Sequence, residues 1–231
     1  MGAALALLKP GPFYLQNIYL GPAYADKDIR AVLDNAGVGY EFMEEEGICR
    51  RIAGLINENN TVAHFNGRME YGPRALGNRS IFYRADDPSC NDWLNDKLSR
   101  TEFMPFAPVS ADKEAGELYP DIDKAVYALR FMNIAAGCSS KMKDLCPGAV
   151  HVDGTARPQV LNREDNQRLY RILEIYKGLK GISTIINTSF NRHEEPIVCS
   201  PEDAIKSFLE CGLDYLVLNN FLVSGKGGHA K

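Results

Sequence analysis

Apolar spacing switches repeatedly between helical and extended periods along this chain, and that interleaving constrains the fold more than any other feature. Ile29, Val32 and Leu33 fall at helical spacing behind Asp26, which can cap the helix, with Gly37 as its stop. Residues 40–43 read as a short strand, followed by an acidic turn at 44–46. A second amphipathic helix carries Ile48, Ile52, Leu55 and Ile56; Asn59-Asn60 ends it, and 61–65 reads as a strand. Residues 81–83 form a further strand, and Ser89 can cap a helix through Trp93, Leu94 and Leu98. Pro105 and Pro108 confine 103–109 to an edge strand or extended loop. Residues 126–132 read as a strand, 139–147 as loop, and 152–161 as an extended segment interrupted by Gly154. The spacing predicts a helix over 166–180 with Leu169, Ile172, Leu173, Tyr176 and Leu179 on one face. Then come a buried strand at 182–186 and a helix that Ser200-Pro201-Glu202-Asp203 starts and Gly212 ends. Residues 216–218 and 221–223 flank Asn219-Asn220 as a hairpin. With no internal repeat and no linker, the pattern specifies a single α/β domain.

Composition supports that reading and excludes several others. Of 231 residues, 45% are apolar and 24% charged, which supplies a sizeable core and excludes a disordered chain. No run approaches 18 apolar residues, so no membrane span is expected. A net charge of −4 excludes a molecule that binds polyanions with its whole surface. Six cysteines without a C-x-x-C pair read as reduced residues of a cytoplasmic protein. The apolar start, residues 1–8, lacks a basic n-region and is broken by Lys9-Pro10, so it reads as a short helix or tail.

Against this acidic background, one segment is strongly basic. Residues 67–80, GRMEYGPRALGNRS, carry Arg68, Arg74 and Arg79 against a single acid, Glu70, on a loop punctuated by three glycines. Guanidinium forks match phosphate or carboxylate oxygens, and glycine lets backbone N–H groups approach an anion closely. No G-K-S/T follows, so the loop is not a P-loop. Two other polar islands stand out. His151, Asp153, Thr155 and Arg157 would share one face of a period-two strand, either as an active-site strand or as a satisfied core network. Asn187-Thr188-Ser189-Phe190-Asn191 follows an apolar strand, where ligands gather in α/β folds and where capping turns are also common. Arg192, His193 and Glu194 continue that polar run, with the histidine read as a surface residue. Basic residues interleave with Tyr71, Phe82 and Tyr83, as in stacking on nucleic acid, but the acidic total disfavours that partner.

Five ordered blocks carry a resemblance. They are residues 67–80, EFMPFAP (102–108), HVDGTARPQV (151–160), NTSFN (187–191) and EEPIVCSPEDAI (194–205). Together they resemble the C-terminal half of the carbamoyltransferases that include the nodulation and tobramycin-modifying enzymes. The resemblance implies a single YrdC-like domain over 13–223, an open, twisted mixed sheet with flanking helices. It implies that residues 1–12 are the remnant of a preceding kinase-fold domain or a tail, and that 224–231 are a flexible tail. The implied activity is formation of carbamoyladenylate from ATP, with Mg²⁺, and carbamoyl phosphate. A separate kinase-fold domain would pass the carbamoyl group to an acceptor hydroxyl and is the implied partner.

On the same ground, Arg74, Arg157 and Ser189 are expected to be catalytic. Arg68, Arg79, Ser80, Arg100, Asn187 and Asn191 are expected to hold nucleotide and phosphate, and no chain residue is assigned to metal. Around Arg100 the sequence departs from the family's Lys-x-Arg-Glu-x-Phe-Arg-Pro: Lys97 is shifted by one and Met104 replaces an arginine. The alternatives are a nucleotide- or RNA-binding module without turnover and a subunit active only when docked to a separate kinase-fold chain.

Overall fold

The long helices of this chain each have one apolar stripe and the central strands two apolar faces, so the strands are buried between two helical layers. The computed structural model describes residues 2–11, 13–99 and 105–225. Its strands are β1 (Tyr40–Phe42), β2 (Val62–Phe65), β3 (Arg79–Arg84), β4 (Ala107–Ala111), β5 (Ala136–Gly137), β6 (Thr155–Ala156), β7 (Gln159–Leu161), β8 (Thr184–Ser189), β9 (Tyr215–Leu218) and β10 (Phe221–Ser224). Its helices are α1 (Gly2–Leu8), α2 (Asp26–Ala36), α3 (Glu45–Asn57), α4 (Cys90–Lys97), α5 (Asp112–Leu118), α6 (Val126–Leu129), α7 (Ser140–Leu145), α8 (Gln167–Lys180) and α9 (Pro201–Cys211). Among the described residues, eight strands form one sheet in the order β1-β10-β9-β2-β3-β8-β4-β7, and β5 pairs with β6 in a separate ribbon. The β2–β9 and β4–β7 pairs are parallel and the others antiparallel. This is the expected open mixed sheet with flanking helices.

Alternation along the strands sends neighbouring residues to opposite layers. Val62, Phe82, Val109, Ile185 and Val217 pack under α3 and α8, against Ile48, Ile52, Leu55, Leu169, Ile172 and Leu173. Ala63, Phe65, Ile81, Ile186 and Leu216 face the other way, toward α2, α4 and α9. Each fully buried Leu, Ile or Phe contributes about 1.5–3 kcal/mol by leaving water. Helix α9 begins with a reciprocal capping box between Ser200 and Asp203 and ends at Gly212 in the left-handed region. No helix among the described residues is long and apolar enough to cross a membrane.

Five local expectations are overturned. Residues 126–129 form α6 rather than a strand, since Ile122, Leu129 and Met132 bury at a helical interval while Val126 and Tyr127 face solvent. Ser139 accepts from Met142 N and starts α7 where a loop was expected. Leu179 is 51% exposed, because α8 has left the sheet by its last turn. Strand β4 lies between β8 and β7 rather than at an edge; β7 covers only Val109–Ala111, so Pro108 has β8 as its sole neighbour there, where a missing N–H costs least. Asp26 lies in the first turn of α2, with Ala25 at the cap position.

The segment joining β2 to β3 has no regular structure, and buried polar groups shape it. Glu70, 5% exposed, accepts on one carboxylate oxygen from Leu76 N (2.7 Å), Asn78 N (2.7 Å) and Arg79 N (3.4 Å). Arg79 is 0% exposed and donates to the carbonyls of Asn66 (3.0 Å), Asn78 (2.9 Å), Pro22 (3.3 Å) and Gly67 (3.3 Å). Its guanidinium lies 3.6 Å from the centroid of the Phe65 ring, a cation–π contact. His64 Nδ1 donates to Gly77 O at 2.6 Å. Gly77 itself, at φ +116°, has no room for a side chain: a Cβ would meet Leu169 Cδ2 at 2.6 Å.

Two outcomes are expected. Arg79→Met removes a guanidinium shared by four carbonyls, of which Pro22 O and Asn78 O keep a backbone donor, and should cost on the order of 3 kcal/mol in urea unfolding. Burial pushes the His64 pKa from 6.5 down to about 3, so the folded state keeps it neutral while the unfolded chain protonates it below 6.5. Its contribution is intact above pH 6.5 and is lost as pH falls toward 3, at up to about 1.4 kcal/mol per pH unit. His64→Asn keeps an N–H for Gly77 without titrating. The stability difference between variant and wild type should therefore move in the variant's favour across that window, as measured by denaturant unfolding at stepped pH.

Candidate anion-binding active site

A cavity of about 230 Å³ opens where β8 ends and β4 begins, beside the arginine-bearing loop. Strand β8 contributes Asn187, Thr188 and Ser189, and β4 contributes Ala107, paired in register with Asn187. The loop adds Pro73 and Arg74, and Arg157 enters from the two-residue link between β6 and β7. Asn191, His193 and Glu194 close the far side, and Phe106 and Met132 supply apolar wall.

The two guanidiniums dominate the electrostatics. Neither Arg74 nor Arg157 makes a hydrogen bond or ion pair among the described residues, and Arg157 Nε is buried without a partner. Burial, reinforced by the nearby positive charge of Arg74, depresses the Arg157 pKa. Two like charges held half-buried at one cavity, without a carboxylate between them, are costly until an anion arrives. Two amides complete the polar lining. Asn187 Nδ2 donates to Gln159 Oε1 (2.8 Å) and Ala75 O (3.3 Å), while its Oδ1 is buried and unpartnered. Asn191 Nδ2 donates to Arg192 O (2.8 Å) and Glu195 O (2.9 Å), and its Oδ1 is likewise buried and unpartnered.

Five of the sequence candidates therefore meet: Arg74, Arg157, Asn187, Ser189 and Asn191. Three others lie elsewhere. Arg68 is exposed and ties the loop to the preceding segment through Gly21 O (3.1 Å) and Leu20 O (2.8 Å). Arg79 is spent on the backbone carbonyls described above, and Ser80 Oγ accepts from Gly77 N at 2.9 Å inside the same loop. Arg100 and Met104 fall outside the described residues, and Lys97, in the last turn of α4, does not line the cavity. The shared face expected for His151, Asp153, Thr155 and Arg157 does not form. His151 N donates to Thr155 O at 2.7 Å around a tight turn, and Asp153 caps that turn by accepting from Thr155 N at 3.0 Å. Arg157 alone reaches the cavity.

Sequence reasoning missed Gln159, His193 and the organising role of Glu70. Gln159 had a signal, since it directly follows Arg157-Pro158 and begins a strand with a polar residue. His193 was assigned to the surface because nothing local marks a loop that folds back over a strand end.

Comparison with known proteins bears on the family and the fold. Residues 53–225 match the family model described as Carbamoyltransferase C-terminus. An uncharacterized protein of Methanocaldococcus jannaschii is 37% identical over 217 residues, which is 92% of this chain and 35% of that protein. Nodulation protein NolNO of Sinorhizobium fredii is 33% identical over 211 residues, 90% of this chain and 31% of that protein. Nodulation protein NolO of Bradyrhizobium diazoefficiens is 33% identical over 230 residues, covering 96% and 42%. This chain thus spans between about a quarter and just under half of the length of the curated relatives it matches. Among solved structures, full-length HypF in its phosphate- and nucleotide-bound form superposes with a TM-score of 0.54 at 18% identity, over 80% of this chain and 29% of HypF. HypF of T. kodakarensis gives 0.51 at 18% identity, over 85% and 26%. At that identity the likeness is one of fold, whereas the family match rests on sequence over most of the chain. The chain belongs to the carbamoyltransferase C-terminus family.

Proposed function

We propose that residues 13–223 form carbamoyladenylate from carbamoyl phosphate and ATP, as the activating part of an O-carbamoyltransferase. The observation that carries this reading is the pair of unpaired guanidiniums, Arg74 and Arg157, facing one cavity beside Ser189. A phosphate-bearing ligand would relieve their repulsion and supply oxygens for guanidinium N–H groups that face the cavity. In the proposed chemistry, carbamoyl phosphate is hydrolysed to carbamate and inorganic phosphate. A carbamate oxygen then bonds to the α-phosphorus of ATP as the bond to the β-phosphate oxygen breaks, releasing pyrophosphate. Such transfers depend on positioning and charge stabilisation more than on a side-chain nucleophile. Arg74 and Arg157 would hold phosphoryl oxygens in line, and the Ser189 hydroxyl would donate to an oxygen that gains charge. Phe106 and Met132 would limit water on one side.

Magnesium would accompany the triphosphate. The described lining offers Glu194 as its one carboxylate, and no group of three or more His, Cys, Asp or Glu gathers among the described residues. That donor set does not suit a metal held by the protein, so no step here runs through it. Passage of the carbamoyl group to a hydroxyl acceptor is assigned to a separate kinase-fold domain.

Phosphorus NMR of the chain with ATP, Mg²⁺ and carbamoyl phosphate tests the reading. Pyrophosphate, inorganic phosphate and carbamoyladenylate are expected, with no pyrophosphate unless carbamoyl phosphate is present. ADP in place of pyrophosphate would refute α-phosphorus attack. Saturable nucleotide binding with no turnover would favour the binding module instead. Ser189→Ala should lower the rate by about 10–10³-fold. Arg157→Met should abolish stabilisation by phosphate ligands while holding or raising the melting temperature of the ligand-free chain, because it removes an unpaired, half-buried charge.

A further inference from the structure

The loop that carries Arg74 has two arms, and the sheet holds the backbone of only one of them. On the returning arm, Ala75 O accepts from Asn187 Nδ2 (3.3 Å) on β8, Leu76 O from Gln159 Nε2 (3.0 Å) on β7, and Gly77 O from His64 Nδ1 (2.6 Å) on β2. On the outgoing arm, the backbone groups of Met69 and Tyr71 turn away from the sheet. Met69 N donates to Pro22 O (2.9 Å), Met69 O accepts from Gly21 N (2.9 Å), and Tyr71 N donates to Ile18 O (2.7 Å). Residues 18–22 thus run antiparallel beside this arm, close enough to require glycine. A Cβ at Gly21 would meet Met69 Cβ at 2.8 Å and Met69 O at 3.0 Å. The same segment reaches the returning arm as well. Tyr19 Oη donates to Leu76 O at 2.9 Å, sharing that carbonyl with Gln159, and accepts from Asn166 Nδ2 at 3.5 Å. Ile18 and Tyr19 pack on a small apolar cluster of Leu76, Ala107 and Met132, of which the last two also line the anion cavity.

Glu70 stands between Met69 and Tyr71, so the placement of its carboxylate against Leu76 N and Asn78 N depends on the pairing with 18–22. Arg74 lies between the two arms and makes no hydrogen bond of its own among the described residues, which leaves the arms to set where its guanidinium stands. We infer that residues 18–22 are a positioning element of the anion cavity, with Tyr19 and Gly21 as positioning residues that act through the loop on Arg74. The inference rests on the anion-site reading above. It concerns a segment that precedes all five sequence blocks of the family resemblance, so no motif marks it. A misplacement of about 1 Å, caused far from the reacting atoms, can cost on the order of 10²-fold in rate, which is the scale on which such a brace matters.

Calorimetry with inorganic phosphate tests it, using Gly21→Ala to wedge the segment off Met69. Phosphate affinity should fall by about tenfold, the equivalent of one or two lost hydrogen bonds. Gly225→Ala is the control: it crowds Leu213 O at 2.3 Å beyond β10, away from the cavity, and should leave affinity within about twofold. In an Arg74→Met background, where Arg157 supplies the remaining affinity, Gly21→Ala should change binding by less than about twofold, because the residue it acts through is gone. A general structural defect would instead weaken phosphate equally with and without Arg74, and that result would overturn the inference while leaving the anion site standing. Unchanged affinity in Gly21→Ala would overturn it too. If Arg74→Met binds no phosphate at all, the contrast between the two glycine variants decides, and equal losses in both count against the inference. Tyr19→Phe removes a single hydroxyl and should weaken phosphate by about two- to tenfold, so a Gly21 variant that fails to fold does not shelter the proposal. No phosphate binding by the unmodified chain would remove the anion site itself, and this inference with it.

Discussion

The arginine-bearing loop of this domain is organised around one buried guanidinium that is turned onto backbone carbonyls. Arg79 lies at the start of β3, with no solvent exposure, and its guanidinium collects carbonyls from the loop before it and from Pro22. Glu70 performs the converse task on the same loop by collecting amides. Between them an irregular segment acquires the backbone satisfaction that helices and strands obtain from their own ladders. Burial lowers the Arg79 pKa to about 10, which still leaves it protonated at neutral pH. A cation surrounded by carbonyl dipoles and a nearby carboxylate is therefore the permanent centre of the loop. Arg74, on the same loop, stays free to meet a ligand because Arg79 holds the backbone beneath it.

This division of labour explains what could and could not be read from the residues. The α/β architecture was legible, since α3, α8 and α9 and the β9–β10 hairpin each carry a strong period or an unmistakable cap and turn. The basic loop was legible as a candidate anion site. Which of its arginines line the cavity was not, because Arg68, Arg74 and Arg79 are chemically identical and differ only in what the folded backbone sets against them. The polar run beginning at His151 misled for a similar reason. Alternation describes a face only while the chain stays extended, and Gly154, at φ +80°, turns it. Residues 126–132 and 139–147 were misread because four to six residues are too few to separate a helical interval from an extended one.

The cavity also shows how an acidic protein can maintain a local positive field. Arg84, Arg130, Arg163, Arg168, Arg171 and Arg192 all pair with carboxylates. Each pair cancels itself at a distance. Arg74 and Arg157, by contrast, line one cavity with no carboxylate paired to either among the described residues, which gives that cavity a local positive potential.

The two jaws of that cavity hang from different parts of the fold. Arg74 belongs to the loop clamped beneath β3, whereas Arg157 sits between the β5–β6 ribbon and β7, at the end of the sheet farthest from β1. No hydrogen bond joins the two side chains, and their charges push them apart. Two like charges carried on separate parts of the fold thus bound the cavity, and an anion placed between them would relieve a repulsion that a neutral molecule of the same outline would leave in place.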